Sequence, residues 1–438
     1  MLGRVIVPAA VGVILSGSAA AQPESAYTAP VIDGETAVQH CTMVTLTSGA
    51  GGHTHAYPTA RTWHRNNRQV IVDLAGLGPD GEHHENVRYL VLIDIHTLQR
   101  TYLATNEHPE AGVPAAGFMF DYAPAANLIA YAGPESKRIY TLNLDNGVRK
   151  MIYELPDEGW IGGPLSLAWD GTMLAWWTQI DVNETQFLAP WITSIMCQQL
   201  DPISDKVKGK PRLVECFPGR KVSQWADGSG SWTHVNHPQI NPRNRDHICY
   251  AHDTRGRGSA AYDTGDRTLG LRLWQVMSDG TDNRYLSFQG GTHEVIAPDG
   301  RSIIFPYHQG VGEIVFDTGE ARSLYYNPRC CPGHVTISPD GRFIAGDTWN
   351  RWLDEEGRVY QSIMMFERAT RRCIHLCWFK YSHPHAIFSQ DGTKIAFSYM
   401  DDDDNQQVAC IDISRVIDNW DDVYEDVGLA SGPGWTVE

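Results

Sequence analysis

Val335-Thr-Ile-Ser-Pro-Asp-Gly-Arg-Phe-Ile-Ala345 reads as a short apolar strand, an Asp-Gly turn and a second apolar strand. The same pattern stands at Val295-Ile-Ala-Pro-Asp-Gly-Arg-Ser-Ile-Ile-Phe305 and at Ile387-Phe-Ser-Gln-Asp-Gly-Thr-Lys-Ile-Ala-Phe397. Asp-Gly between apolar runs favours hairpin turns with φ > 0, whose twist matches that of the flanking strands. Looser copies lie upstream. Leu167-Ala-Trp-Asp-Gly-Thr-Met-Leu-Ala-Trp176 keeps the dipeptide, and Ile240 to Tyr250, Tyr122 to Tyr131 and Thr62 to Val72 replace it with other turn residues.

A further strand and polar turn follow each hairpin, as in Ile139 to Gly147, Leu273 to Gly280 and Val408 to Ile413. Working outward gives seven units, near 53–105, 118–155, 164–217, 233–288, 292–326, 333–378 and 382–415. Their period and strand count predict an all-β fold, a seven-bladed β-propeller of four-stranded antiparallel blades. Val38 to Thr47 precedes the first unit and reads as a strand. It is expected to supply the outer strand of the last blade and so close the ring, which removes an exposed edge. That placement would bring Cys41 close to Cys410 and predicts a bridge between them. Longer inserts near Asp181 to Ile192 and Arg255 to Thr268 are expected to shape one face.

The domain organisation is then a signal peptide over 1–21, the propeller over 22–417 and a tail over 418–438 without a repeat role. Arg4, the apolar run Val5 to Leu15 and the small-residue site Ala19 to Ala21 mark the leader, with the mature chain starting at Gln22. The apolar run is too short to span a bilayer. The expected location is periplasmic or secreted, with no membrane association after cleavage. Nine cysteines in an oxidising compartment permit disulfides and leave at least one thiol unpaired.

The formal net charge of −17 excludes nucleic acid as a partner, because phosphate binding needs a basic surface. An anionic substrate would require a metal or local Arg and Lys groups to reverse the field. The run Asp401 to Asp404 reads as a solvated turn. No Gly-x-Ser-x-Gly, His-Glu-x-x-His or phosphate-binding loop occurs.

Histidine carries the chemical signal. Six residues before the turn Asp, or its equivalent, stand His237, His293, His334 and His385 in the last four units; Ala60, Met119 and Pro164 hold that register in the first three. Histidine occupies 18 of 438 positions, so four in seven at one register is far above composition. The first strand of a propeller blade lines the central channel, so these residues would meet at one channel mouth. His383 lies two residues before His385 and shares its side of the strand. His293, His383 and His385 are the candidate metal ligands, since neutral imidazole binds divalent transition ions. A hydrogen-bonded channel plug is the alternative. His53 and His55 are expected on the same face.

Trp232-Thr-His234-Val-Asn-His237-Pro-Gln239, Tyr250-Ala-His252-Asp253 with Leu271-Arg272-Leu-Trp274, Thr292-His293-Glu294, Gly333-His334 and Ser382-His383-Pro-His385 follow one another as in the oligogalacturonate lyases, which this chain resembles most clearly over residues 233–400. The resemblance implies a seven-bladed propeller holding one divalent metal, Mn2+ first and Zn2+, Ca2+ or Ni2+ as alternatives. It implies His293, His383 and His385 as ligands and His237 as the base. The family's glutamine ligand falls at Lys380, and a protonated amine cannot coordinate.

The implied activity is β-elimination of an acidic oligosaccharide. A cation would stabilise the enolate that develops at the uronate carboxylate, a base would take the C5 proton, and an acid would protonate the leaving oxygen. Arg272 and His252 are expected to assist, and His55, His234, His334 and Lys380 to bind sugar. A lyase for another uronate, such as ulvan or glucuronan, is an alternative reading. A non-catalytic periplasmic scaffold of the TolB type is another.

Overall fold

The computed structural model describes residues 27–28, 41–49, 52–107, 117–133, 137–155, 159–182, 188–204, 207–224, 230–255, 272–286, 293–307, 309–327, 331–348, 352–353, 359–380, 383–424 and 426–427. The leader, the centres of both inserts and the end of the tail lie outside the described residues.

The protein is all-β, built from antiparallel meanders of four strands, except that the first, Gln69–Leu77, His83–Asp94 and Arg100–Glu107, has three. Met119–Ala123, Leu128–Gly133, Arg138–Asn143 and Arg149–Glu154 form one such sheet, and Val295–Ile296, Ser302–Tyr307, Gly310–Val315 and Ala321–Tyr326 another. Two meanders merge where Arg212–Gln224 pairs with Gly230–Asn241. Two more touch where Lys380 pairs with Met400. The strand Thr42–Thr45 pairs antiparallel with Gln406–Asp412 and becomes the outer strand of the last meander, as expected.

The Asp-Gly turns repeat one local geometry. Gly171, Gly300, Gly341 and Gly392 have φ between +71° and +73°. Each glycine N–H donates to the carbonyl three residues earlier, as Gly300 does to Ala297 at 2.8 Å. The preceding aspartate is not left-handed. Its Oδ1 accepts a backbone N–H two residues on, from Thr172, Arg301, Arg342 and Thr393 at 2.9–3.1 Å. The hairpin is therefore a four-residue loop with a left-handed glycine and an Asp side-chain cap, as between the paired Ala297 and Ser302, two residues longer than a two-residue loop.

Ser166, Gln239, Ile296, Ile337 and Phe388, each from the first strand of a different meander, line one cavity of about 390 Å3. These strands thus gather about a common axis at their turn ends. Neighbouring meanders are stitched there by polar side chains. Asp121 accepts the Arg61 guanidinium at 2.7 Å and the backbone N–H groups of Arg61 and Leu167 at 2.7 and 2.6 Å. Ser166 Oγ accepts from Ile240 N–H at 2.9 Å.

One expectation is corrected. Cys41 and Cys410 are both free thiols, as is every cysteine among the described residues. The strand register explains it. Cys410 faces Val44 across the ladder, whereas the Cys41 thiol donates to the carbonyl of Leu376 at 3.4 Å. The start of the tail carries no blade strand in its described helical residues. Short helices at Ser414–Asp418 and Trp420–Val423 bury Val416 and Trp420 against Phe343 and Ile411. Among the described residues no helix is long and apolar enough to cross a membrane.

Candidate active site

The register histidines owe their direction to backbone geometry. His237, His293 and His385 have φ of +48°, +57° and +53°. Non-glycine residues reach this region at a cost of roughly 1–2 kcal/mol, and His does so more often than most. At His237 the ladder also slips, with Asn236 opposite Ala251 but Gln239 opposite Cys249. The extra residue forms a bulge, which re-aims a side chain and interrupts pairing. A comparable slip between Gly162 and Ser166 surrounds Pro164, the same register in the third unit.

The imidazoles converge. The ring centroid of His334 lies 4.0 Å from that of His293, 4.5 Å from His385 and 6.0 Å from His383, and His383 and His385 are 6.0 Å apart. Tyr57 packs among them, 5.2 Å from His237, 5.0 Å from His385 and 6.0 Å from His334. His55, Tyr57, Met119, Pro164, His237, His383 and His385 line a cavity of about 300 Å3.

Second partners set the tautomers. The His293 Nδ1–H donates to Gly333 O at 2.8 Å, and that of His55 donates to Ala56 O at 2.8 Å. His334 Nδ1–H donates to Asp347 Oδ2 at 2.8 Å, while Asp347 Oδ1 accepts the His334 backbone N–H at 2.5 Å. In each neutral ring the lone pair is left on Nε2.

Burial pushes His55 down to about 4. Burial, aided by the neighbouring His334, lowers His293 to about 4 and holds His385 well below the usual histidine range. These rings are thus neutral near pH 7, the form that ligates. Burial alone would raise Asp347, but His334 beside it, its hydrogen bonds and His385 hold its carboxyl below the ordinary value.

Among the described residues no three His, Cys, Asp or Glu side chains already enclose an ion-sized point. What fits a divalent ion is the donor chemistry. The rings are imidazoles, and those of His293, His55 and His334 have Nδ1 tied to a carbonyl or carboxylate, the usual outer support of a metal-binding histidine.

The other expected site residues lie around this cluster. Arg272 is buried in an ion pair with Glu294 at 3.3 Å, beside His293 in the chain. His234 is buried with its Nε2 3.0 Å from Asn236 Nδ2. His252 stacks on Trp274 at 4.4 Å and meets Phe217 edge-on at 4.7 Å. Lys380 is spent elsewhere, with Nζ donating to Asp402 O at 2.9 Å and pairing with Asp404 at 3.2 Å. Two residues of the cluster escaped sequence reasoning. Tyr57, two residues after His55, shares its side of the chain, so alternation could have flagged it. Asp347 carries no periodic mark.

Compared with solved structures, the chain superposes on an oligogalacturonate lyase from Vibrio parahaemolyticus with a TM-score of 0.63 and 16% identity, over 89% of this chain and 96% of that one. It superposes on an oligogalacturonate lyase in complex with manganese with a TM-score of 0.60 and 18% identity, over 85% of this chain and 96% of that one. The chain has the fold of the oligogalacturonate lyases. At such identity the likeness extends to architecture and not to chemistry. No family model and no curated protein matches the sequence.

Proposed function

We propose that this protein is a periplasmic or secreted lyase that cleaves uronic-acid oligosaccharides by metal-assisted β-elimination, on a seven-bladed propeller closed by the strand Thr42–Thr45. The observation that carries the reading is the convergence of His293, His385 and His383 on His334, from three different meanders, at ring-centroid distances of 4.0, 4.5 and 6.0 Å. A plain scaffold has no need to hold buried imidazoles together, three of the register histidines in left-handed conformations.

His293, His383 and His385 would hold the ion, Mn2+ by preference. When bound it would supply Lewis-acid stabilisation to a substrate carboxylate. His237 faces the same cavity and takes the C5 proton as base. Tyr57 and His55 line the sugar space. Arg272, already neutralised by Glu294, orients the wall behind His293 instead of binding the carboxylate directly. Lys380, tied to the acidic turn, stands where the family has a ligand, so a uronate other than galacturonate, such as ulvan or glucuronan, is the second reading.

The test is a screen of acidic polysaccharides followed by ultraviolet absorbance of the unsaturated product. With the best substrate, His237→Ala should lower kcat by about 10²–10⁴-fold. Undiminished turnover removes His237 from the base role. Absence of both activity and bound metal favours a TolB-like scaffold.

A further inference from the structure

We infer that the cavity at the turn ends of the first strands is a second binding site, for a small aromatic carboxylate. It is separate from the cavity of the histidine cluster and does not depend on the lyase reading.

The repeat builds the site. The residue before each turn lines this cavity of about 390 Å3: Trp169 in the third unit, Pro242, Pro298 and Pro339 in the next three, and Gln390 in the last. Ile240, Ile296, Ile337, Ile387 and Phe388 add a buried apolar wall. Such a surface rewards an apolar ligand body, since each contact removes apolar area from water. Cavities of this size take small organic ligands. Trp169 is 42% exposed and offers an aromatic face at the rim. The hydroxyl of Thr59 also lines the cavity, and its buried Oγ1 has no hydrogen-bond partner among the described residues.

Charge selects the ligand's head group. The chain has a formal net charge of −17, yet the described residues lining this cavity include two arginines and no Asp or Glu. Arg61 is already paired with the buried Asp121 and stands 5.9 Å from the Trp169 ring, so it supports the indole and adds no net charge. Arg243 is placed differently. Its backbone N–H donates to Asn241 Oδ1 at 2.9 Å and its Nε donates to Pro298 O at 3.0 Å, which fixes the guanidinium at the mouth. Its two terminal amino groups have no partner among the described residues. One such guanidinium suits one anionic group, and paired N–H donors match a carboxylate. A plain apolar hollow would take a neutral aromatic as well as the corresponding acid.

The experiment is equilibrium dialysis of the full chain against naphthoate, with naphthamide as the neutral counterpart, read by ligand absorbance. Naphthoate should bind at one site with a dissociation constant below about 1 mM. Naphthamide should bind about 10–100-fold more weakly, the usual worth of hydrogen bonds to a charged partner. Arg243→Gln should lower naphthoate affinity to that of the amide, and Trp169→Ala should weaken both ligands by about 3–10-fold. Both side chains are exposed, and thermal unfolding checks that each variant folds. His237→Ala should bind naphthoate as the wild type does, because His237 lines the other cavity. No binding of naphthoate, equal affinity for acid and amide, or wild-type affinity in either folded cavity variant overturns the inference. Loss of binding in His237→Ala places the ligand at the histidine end and overturns it as well. The comparison of acid with amide needs no substitution, so it decides even if a variant fails to fold. Lyase activity is read separately, by absorbance of the unsaturated product, so either reading can fail alone.

Discussion

The indole N–H of Trp63 donates to the carbonyl of Ile387 at 3.0 Å, across 324 residues of chain. Trp63 is fully buried, and its cluster joins Val70 and Leu90 of the first meander to Ala396 and Val408 of the last. The two ends of the chain are therefore fastened by packing as well as by the ladder of Thr42–Thr45. Trp63→Phe keeps most of the ring but orphans the Ile387 carbonyl, which should cost about 1–3 kcal/mol. Trp63→Ala adds a cavity and should cost roughly 3–5 kcal/mol. Denaturant unfolding checks both, and an unchanged midpoint in Trp63→Ala would deny this contact a part in stability.

Asp121 is wholly buried and accepts groups from the first and third meanders at once. Asp121→Ala removes the carboxylate partner of the Arg61 guanidinium and the acceptor of three backbone N–H groups, those of Arg61, Tyr122 and Leu167. Removing one partner of a buried ion pair costs roughly 3–5 kcal/mol. The thermal midpoint should fall sharply, with the site histidines unaffected because this junction lies at the turn end of the strands. A midpoint equal to wild type would mean that water replaces the carboxylate freely.

Stability should fall as pH drops from about 6.5 to about 4. Burial lowers His53 to about 4, with Arg88 adding to it, and burial with His234 nearby lowers His252 to about 4. In the unfolded chain both rings take up protons below about 6.5. The folded protein holds them neutral until about 4. Unfolding therefore binds protons throughout that window, and each ring removes about 1.4 kcal/mol per pH unit as pH falls. Below about 4 the loss levels off. Thermal unfolding across this range in wild type and His252→Phe measures it; equal slopes would mean that His252 titrates normally in the fold.

Tyr57 touches His237, His334 and His385 but is only half-buried, so its removal should affect chemistry more than folding. Tyr57→Ala is expected to reduce kcat of the proposed lyase by about 10–100-fold through lost positioning, with a small change in unfolding midpoint. Steady-state kinetics beside unfolding decides it, and a large stability loss with unchanged kcat would make Tyr57 a packing residue.

Much of the fold was legible because it is written locally and repeatedly. The turn glycines at 171, 300, 341 and 392 take the left-handed conformation that only glycine adopts without strain, so the dipeptide marks the hairpin wherever it occurs. The pairing of Thr42–Thr45 with the last meander followed from the need to cover an edge. Cys41 and Cys410 were paired wrongly because strand adjacency does not fix register, and a shift of a few residues along the ladder sends a thiol to another neighbour.

For the site, the sequence alone determined that His237, His293, His334 and His385 occupy one register, because a repeat places equivalent residues at equivalent ends of their strands. It could not weigh them. That His334 sits between the others, that Asp347 grips it, that Tyr57 enters the cluster, and that Lys380 and His252 are engaged elsewhere were decided by tertiary packing. Those relations depend on side chains brought together from separate sheets and on bulges and left-handed turns that aim them, and such distances are set only when the sheets assemble.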